Sequence, residues 1–294
     1  MSTRSTKNRS KKTAARHLMN RRVIGLGLLL MGIVFAVALI ESCTHSRLFP
    51  FPKTPPSVNQ TPYDWSNLQR DNKGRLSYIR DGKTLSRTGI DVSSHQQTID
   101  WGGVAQDSIS FAYIRIGFRG TSEGSLSADS FYEQNIAGAK AAGLDVGVYF
   151  YSQAITEDEA REEARFVLQQ LNGQTLDYPV AYDLEPSPDG GGRADNLSQE
   201  QATALAKAFC DEIRRGGYRA IVYGNAYDLS RYDLSTLSEN IWLAQYDGVP
   251  DGSISFVMWQ YTSKGEVNGI SRPVDITLDL SDVAQLASES QQHQ

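Results

Sequence analysis

The sequence predicts an α/β fold built as one barrel-like sheet, and three observations predict it. Strand-like and helix-like patterns alternate over roughly 200 of its 294 residues, from Gly89 onward, which implies mostly parallel strands with a site at their C-terminal ends. The strands carry aliphatic residues on one face and small, aromatic or charged residues on the other. There are only two cysteines, so no disulfide framework builds the fold; Cys210, in the helical pattern of Leu205, Phe209 and Ile213, reads as a small core residue.

Residues 1–22 carry eight Lys/Arg and no acid, so the net charge of −5 divides into +8 there and −13 over the rest. An acidic body without a basic stripe argues against nucleic acid as a partner. Val23 to Ile40 contains no charged residue, and as a helix it spans about 27 Å, near the lower limit for crossing a bilayer. The basic residues before it and Glu41 after it place the main body outside the cytoplasm, in the cell envelope. A transmembrane signal anchor is expected, because the apolar region of a cleaved signal is usually shorter. Ala36-Val37-Ala38 has the form of a cleavage site, and Ile40 to Cys43 is similar to a lipid-attachment box with Glu41 fitting poorly. Secretion and lipid anchoring at Cys43 therefore stay open. Five of the ten prolines fall between Pro50 and Pro62, which makes 41–64 a semi-extended linker. In 65–88, Leu76–Arg80 and Lys83–Ser86 flank Asp81-Gly82, a type I′ hairpin signal, and predict a small β appendage.

The barrel itself is expected over 89–282, with a polar tail at 283–294. Gly89–Ser93 is the first strand, Ile109–Gly117 the second and Leu144–Ser152 the third. A helix over 127–142 ends at Gly143, a C-cap signal. Thr156 opens a capping box with Glu159, ahead of a core stripe of Ala160, Ala164, Val167, Leu168 and Leu171. Pro179 to Leu184 is a buried strand, and Ser198 with Gln201 caps a helix reaching Arg215. Arg219–Asn225, Ile241–Tyr246, Ser255–Thr262 and Val274–Leu278 supply the remaining strands. About five helical patterns exist, too few for a complete eight-helix ring.

Asp183 and Glu185 leave one face of their strand near its C-terminal end, roughly 6.5 to 7 Å apart at their backbones. Burying such a pair is costly unless the pair has a task, and cleaving a glycosidic bond needs one protonated acid and one ionised partner. The bland reading is two solvated carboxylates in a turn. The spacing falls between the retaining and inverting separations and does not select an outcome. On the faces expected to look into the lumen lie Asp91, Ser93, Tyr113, Arg115, Gly147, Tyr149, Tyr151, Trp242 and Ala244. Singly each aromatic can be core filling; together on the acid-bearing face they describe a cleft that stacks on sugars. Tyr223, Gln260 and Tyr261 are further candidate sugar contacts.

Gly89-Ile90-Asp91-Val92-Ser93 with His95-Gln96 and Ile99-Asp100-Trp101 resembles the opening of the family-25 glycoside hydrolases, the N-acetylmuramidase-type lysozymes. Further similar stretches follow in order: Tyr113-Ile114-Arg115, Phe131 with Asn135, Gly147-Val148-Tyr149, Asp183-Leu184-Glu185, Ile241-Trp242-Leu243-Ala244, Trp259-Gln260-Tyr261 and Val274-Asp275. The likeness runs over about residues 88 to 280 and departs at Arg115, where a lysine is common, and at Phe150, where a histidine often stands. It implies a modified TIM-like barrel of eight strands that hydrolyses the β-1,4 bond between N-acetylmuramic acid and N-acetylglucosamine in peptidoglycan. By this resemblance Glu185 is the general acid, and Asp183 stabilises the intermediate or orients the substrate acetamido group. Asp91 and Asp275, from the first and last strands, add negative potential where the barrel closes. Tyr113, Arg115, Tyr149, Tyr151, Tyr223, Trp242 and Gln260 are the expected substrate-binding residues, and Arg115 is the nearest counter-charge for the acids.

Four histidines, of which only His95 falls inside the barrel region, supply no metal cluster, and neither metal nor cofactor is expected. Gly120-Thr121-Ser122-Glu123-Gly124 matches a serine-hydrolase elbow, but the later histidine it requires is only His293 in the tail. A chitinase-like enzyme lacks support because Pro179 and Ala181 stand where further aspartates would. A non-hydrolytic cell-wall-binding module remains as an alternative of another class, although a binding groove needs no proton donor. The expected partners are peptidoglycan glycan strands and, through the N-terminal segment, a membrane; the expected state is a monomer.

Overall fold

The computed structural model describes residues 61–292. The basic tail, the apolar run 23–40, Cys43 and most of the linker lie outside the described residues. Among those described, no helix is long and apolar enough to cross a membrane.

Three short strands come first: β1 (Leu68–Arg70), β2 (Leu76–Arg80) and β3 (Lys83–Thr84). Asp81 and Gly82 join β2 to β3 with φ of 54° and 74°, the left-handed pair that a type I′ turn demands. β1, which the sequence did not announce, pairs antiparallel with β2 and makes a three-stranded sheet.

The barrel strands are β4 (Arg87–Val92), β5 (Phe111–Arg119), β7 (Asp145–Tyr151), β8 (Val180–Asp183), β9 (Ala220–Asn225), β10 (Asn240–Ala244), β11 (Met258–Gly265) and β12 (Val274–Asp279). Neighbours from β4 through β5, β7, β8, β9 and β10 to β11 are parallel. β12 runs antiparallel to both β11 and β4 and closes the cylinder. The expected eight-stranded barrel is therefore present, with one reversed strand.

Six α-helices occur among the described residues: α1 (Trp101–Gln106), α2 (Tyr132–Ala141), α3 (Glu157–Leu171), α4 (Gln199–Arg215), α5 (Ala226–Ser230) and α6 (Ser281–Gln292). Thr156 caps α3 by accepting from the Glu159 amide, and Ser198 with Gln201 forms the anticipated capping box on α4. The helix expected over 127–142 starts later. Leu126–Ala128 instead forms β6, antiparallel to β5, and Asp129 turns the chain by accepting from the Phe131 amide. α6 begins two residues before the expected polar tail, runs through it to Gln292 and buries Val283.

Period-two alternation divides the apolar residues into two groups. Ile90, Val92, Ile114, Ile116, Val146, Val148, Phe150 and Tyr182 face outward and pack with Val167 of α3 and Leu205, Phe209 and Ile213 of α4. Phe111, Tyr113, Tyr178, Ala181, Ile221, Trp242 and Met258 fill the lumen as a separate cluster. Rings dominate that interior: Phe111 stacks on Tyr178 at 4.4 Å and Tyr113 lies 4.4 Å from Trp242.

β11 and β12 are joined by a turn without a helix, so part of the barrel wall needs other cover. The N-terminal sheet and the segment just before it provide it. Trp65 meets Trp259 edge-on at 5.5 Å, Tyr63 packs 5.0 Å from Phe256, and the Leu76 amide donates to the Tyr261 hydroxyl. Arg75 pairs with Asp107, and Cys210 is buried as expected. Tyr78 is only 1% exposed although it belongs to the small sheet. Tyr78→Ala is expected to cost about 3 kcal/mol or more, the range for emptying a buried aromatic site. Calorimetry should show the barrel's own transition moving down; an unmoved barrel transition would make the sheet an independent module.

Candidate active site

β8 ends at Asp183, and Glu185 follows just beyond the ladder. Asp183 pairs in register with Tyr151 on one side and Tyr223 on the other. Across the closure, Asp91 of β4 stands directly opposite Asp275 of β12. These elements bring all four carboxyls to one open cleft of about 320 Å³. Arg115, Tyr149, Tyr151, Pro188, Tyr223, Trp242, Tyr246 and Gln260 complete its lining.

Of the four acids and seven expected substrate-binding residues, ten line this cleft and Tyr113 does not. It is fully buried in the aromatic cluster beneath, with its hydroxyl 3.9 Å from the Met258 sulfur. Its periodicity gave the correct face but not its depth. Tyr261 is a second correction: it packs against Trp259 on the outer side and receives the Leu76 amide. Arg115 lines the cleft but is not the counter-charge of the four acids. Its guanidinium is paired with the fully buried carboxylate of Asp129 at 2.8 Å and donates to Ser94 Oγ at 3.1 Å. Burial opposes ionisation of Asp129, yet the Ser94 and Phe131 amides and Arg115 together hold its carboxyl below the usual range.

Gln260 is 1% exposed and organises one wall. The Tyr223 and Tyr246 hydroxyls both donate to its Oε1, at 3.0 and 2.6 Å. Its Nε2 is therefore left to donate to Asp91 Oδ2 at 2.8 Å, which fixes the amide orientation. Tyr246, 48% exposed at the rim, was missed by sequence reasoning. Continuing the Trp242, Ala244 alternation by one more step would have found it.

Electrostatically the cleft is crowded with acids. Burial, then the charge of Glu185, pushes the Asp183 carboxyl well above its ordinary value. Glu185 is raised as well, by burial, while its hydrogen bond with Asp183 works in the opposite direction. Burial and the neighbouring Asp275 raise Asp91. Asp275 is pushed to about 6 by burial, with Glu185 adding to it. A fifth acid, Asp228 at the start of α5, is pushed to about 7, first by burial and then by the Glu185 charge. Asp183 Oδ1 is buried and has no hydrogen-bond partner among the described residues. No grouping of His, Cys, Asp and Glu among them has metal-holding geometry.

These raised values have a consequence for stability. Asp275 and Asp228 bind protons in the folded state at pH values where the unfolded chain, with carboxyls near 3.8, has released them. The native state therefore holds more protons between about pH 4 and 7, and stability falls as pH rises through that window. The Tm is expected to be several degrees higher at pH 5 than at pH 7.5. The reverse order in scanning calorimetry would contradict these carboxyls being raised by burial.

Paired carboxyls at the C-terminal mouth of an eight-stranded barrel, over an aromatic floor, are an arrangement that glycosidic-bond cleavage can use. The chain belongs to the glycosyl hydrolases family 25, whose family model matches residues 90–270. It is similar to the autolytic lysozyme of Clostridium acetobutylicum, 30% identical over 191 residues that cover 64% of this chain and 54% of that protein. It is also similar to lysozyme M1 of Streptomyces globisporus, 28% identical over 202 residues, covering 64% of this chain and 65% of the relative. The chain thus spans about half the length of the first and about two thirds of the second. Among solved structures, the bacterial lysozyme of Streptomyces coelicolor superposes with a TM-score of 0.56 at 25% identity, covering 69% of this chain and 95% of that one.

Proposed function

We propose that this protein is a lysozyme, an N-acetylmuramidase that hydrolyses the β-1,4 bond between N-acetylmuramic acid and N-acetylglucosamine in peptidoglycan. The observation that carries the reading is the convergence of Asp91, Asp183, Glu185 and Asp275 on one open, ring-lined cleft. The lysozymes among its relatives support the choice of substrate.

Glu185 acts as general acid. Its proton passes to the glycosidic oxygen, the bond from that oxygen to the anomeric carbon breaks, and the electron pair leaves with the oxygen. Positive charge develops at the anomeric carbon. The substrate's own acetamido oxygen shields it while Asp183 holds the acetamido N–H, and Asp91 and Asp275 add negative potential around it. Water then completes hydrolysis, with Glu185 as the receiving base.

The proton has to be on Glu185 when the sugar is bound. Two neighbouring buried carboxyls cannot both ionise cheaply, so the pair holds a proton above the usual carboxylate range. In the free cleft the more deeply buried Asp183 is the stronger competitor for it. An acetamido N–H donating to the Asp183 carboxyl, which lines the cleft, favours its ionised form and leaves the proton to Glu185. Substrate binding thus arms the acid.

Purified peptidoglycan incubated with the protein should release reducing ends. Binding without release would make the cleft a wall-binding groove instead. We further propose that the apolar run 23–40 anchors the protein in a membrane with its barrel on the outer side; recovery of the intact protein free of membrane would refute this.

A further inference from the structure

The β8 ladder stops at Asp183, so Glu185 stands outside the regular sheet bonding that would fix its backbone. Three consecutive carbonyls here are nevertheless held by donors from elsewhere. The Ser152 amide donates to the Asp183 carbonyl at 2.7 Å, an Arg231 guanidinium N–H to that of Leu184 at 3.4 Å, and Gln153 Nε2 to that of Glu185 at 2.8 Å. The third contact stands apart because it comes from a side chain with no exposure to solvent. Its second N–H points to the Tyr151 hydroxyl, 3.3 Å away, on the cleft wall. A reversed amide would set two oxygens against each other at Glu185, so the carbonyl fixes the orientation.

Gln153 is itself anchored. Its backbone N–H donates to Glu163 Oε1 at 3.3 Å, and that buried carboxyl, pushed up to about 7 chiefly by burial, also receives Arg119 Nε at 2.8 Å and Ser152 Oγ at 2.6 Å. On the far side the 186–195 loop closes over the side chain. A Cβ at Gly192 would come within 3.1 Å of Gln153 Oε1 and 2.6 Å of Ser187 Cβ, so only glycine allows this approach. That oxygen is buried with no hydrogen-bond partner among the described residues, so the site leaves an acceptor unsatisfied to place the side-chain amide's donors. A side chain selected only to fill space would be apolar here.

We infer that Gln153 is a positioning residue for Glu185, extending the β8 ladder past its end so that the acid is held against the cleft and Tyr151. This rests on the reading of Glu185 as the proton donor. Misplacing a reacting group by about 1 Å can cost about 10²-fold in rate.

The test uses Gln153→Met, which keeps the length but removes both donors, and Gln153→Glu, which cannot donate when ionised and can when protonated. Gln153→Met is expected to lower kcat on peptidoglycan at least about tenfold with KM within about twofold, and to displace the alkaline limb of the kcat–pH profile. In the substrate-free protein the Glu185 carboxyl resonance should titrate at a displaced pH. Gln153→Glu should be impaired near pH 8 and recover toward pH 5, where its carboxyl is protonated. A purely structural role predicts loss in proportion to the unfolded fraction, with unchanged profile and titration, and that result overturns the proposal. If Gln153→Met does not fold, the recovery of Gln153→Glu decides; if neither folds, Gln153 is a folding determinant and the proposal is withdrawn. Glu185→Gln, assayed alongside, separates the two claims. Full activity there defeats the acid assignment, whereas loss there beside a wild-type-like Gln153→Met defeats positioning alone.

Discussion

Glu185→Gln should lower kcat on peptidoglycan by at least about 10²-fold, the low end for removing a general acid. The amide is nearly the same shape as the carboxyl, so the fold and sugar binding should be kept, and KM should stay within a few-fold. Stability should rise rather than fall, because one ionisable group is removed from beside Asp91, Asp183, Asp228 and Asp275, which all have raised values and feel the Glu185 charge. The same substitution should bring the Asp228 carboxyl down from about 7, since the Glu185 charge is one of the causes lifting it. A variant that digests wall at the wild-type rate would mean that another group donates the proton.

Asp183→Asn should cost about 10² to 10³ in kcat, the scale for losing one preorganised electrostatic partner of the transition state. Asparagine can still accept a hydrogen bond from the acetamido N–H but carries no charge to stabilise the cation that follows. Two signatures accompany the loss. The wild-type pair titrates in two coupled steps, whereas the variant should show a single carboxyl step in the cleft pair. Substrate lacking the N-acetyl group should also be poor for the wild type and little worse for Asp183→Asn, because the Asp183 charge acts through the acetamido group and coupled effects do not add. Fully additive losses would mean that Asp183 acts on the anomeric centre without the acetamido group.

Asp183 was legible because alternation along a strand is strict; Glu185 follows the same two-residue spacing although the β8 ladder ends before it. That Asp91 and Asp275 face each other follows from barrel closure, which no local pattern encodes; the family resemblance supplied it. Tyr113 marks where alternation runs out. Asp91, Tyr113 and Gly147 are in register across three strands. Strands tilt and stagger around a barrel, so residues in register differ in depth along its axis. Asp91 thus reaches the cleft while Tyr113 is buried below it. Arg115 was placed correctly but given the wrong partner, because Asp129 reaches it from a turn after the short β6 strand that the sequence had read as helix. Gln153 falls one step past Tyr151 in the β7 alternation and Asp228 lies beyond the end of β9, in segments whose course is set by tertiary contacts, so alternation alone does not place them.

The most direct test is the identity of the new chain end. Peptidoglycan digested by the protein is reduced with borohydride, and the products are read by mass spectrometry. The account predicts that the reduced terminal sugar is N-acetylmuramitol in every released fragment. A terminus of N-acetylglucosaminitol would contradict it, because the cut would then fall on the other side of the sugar that the Asp183–Glu185 pair is held to attack.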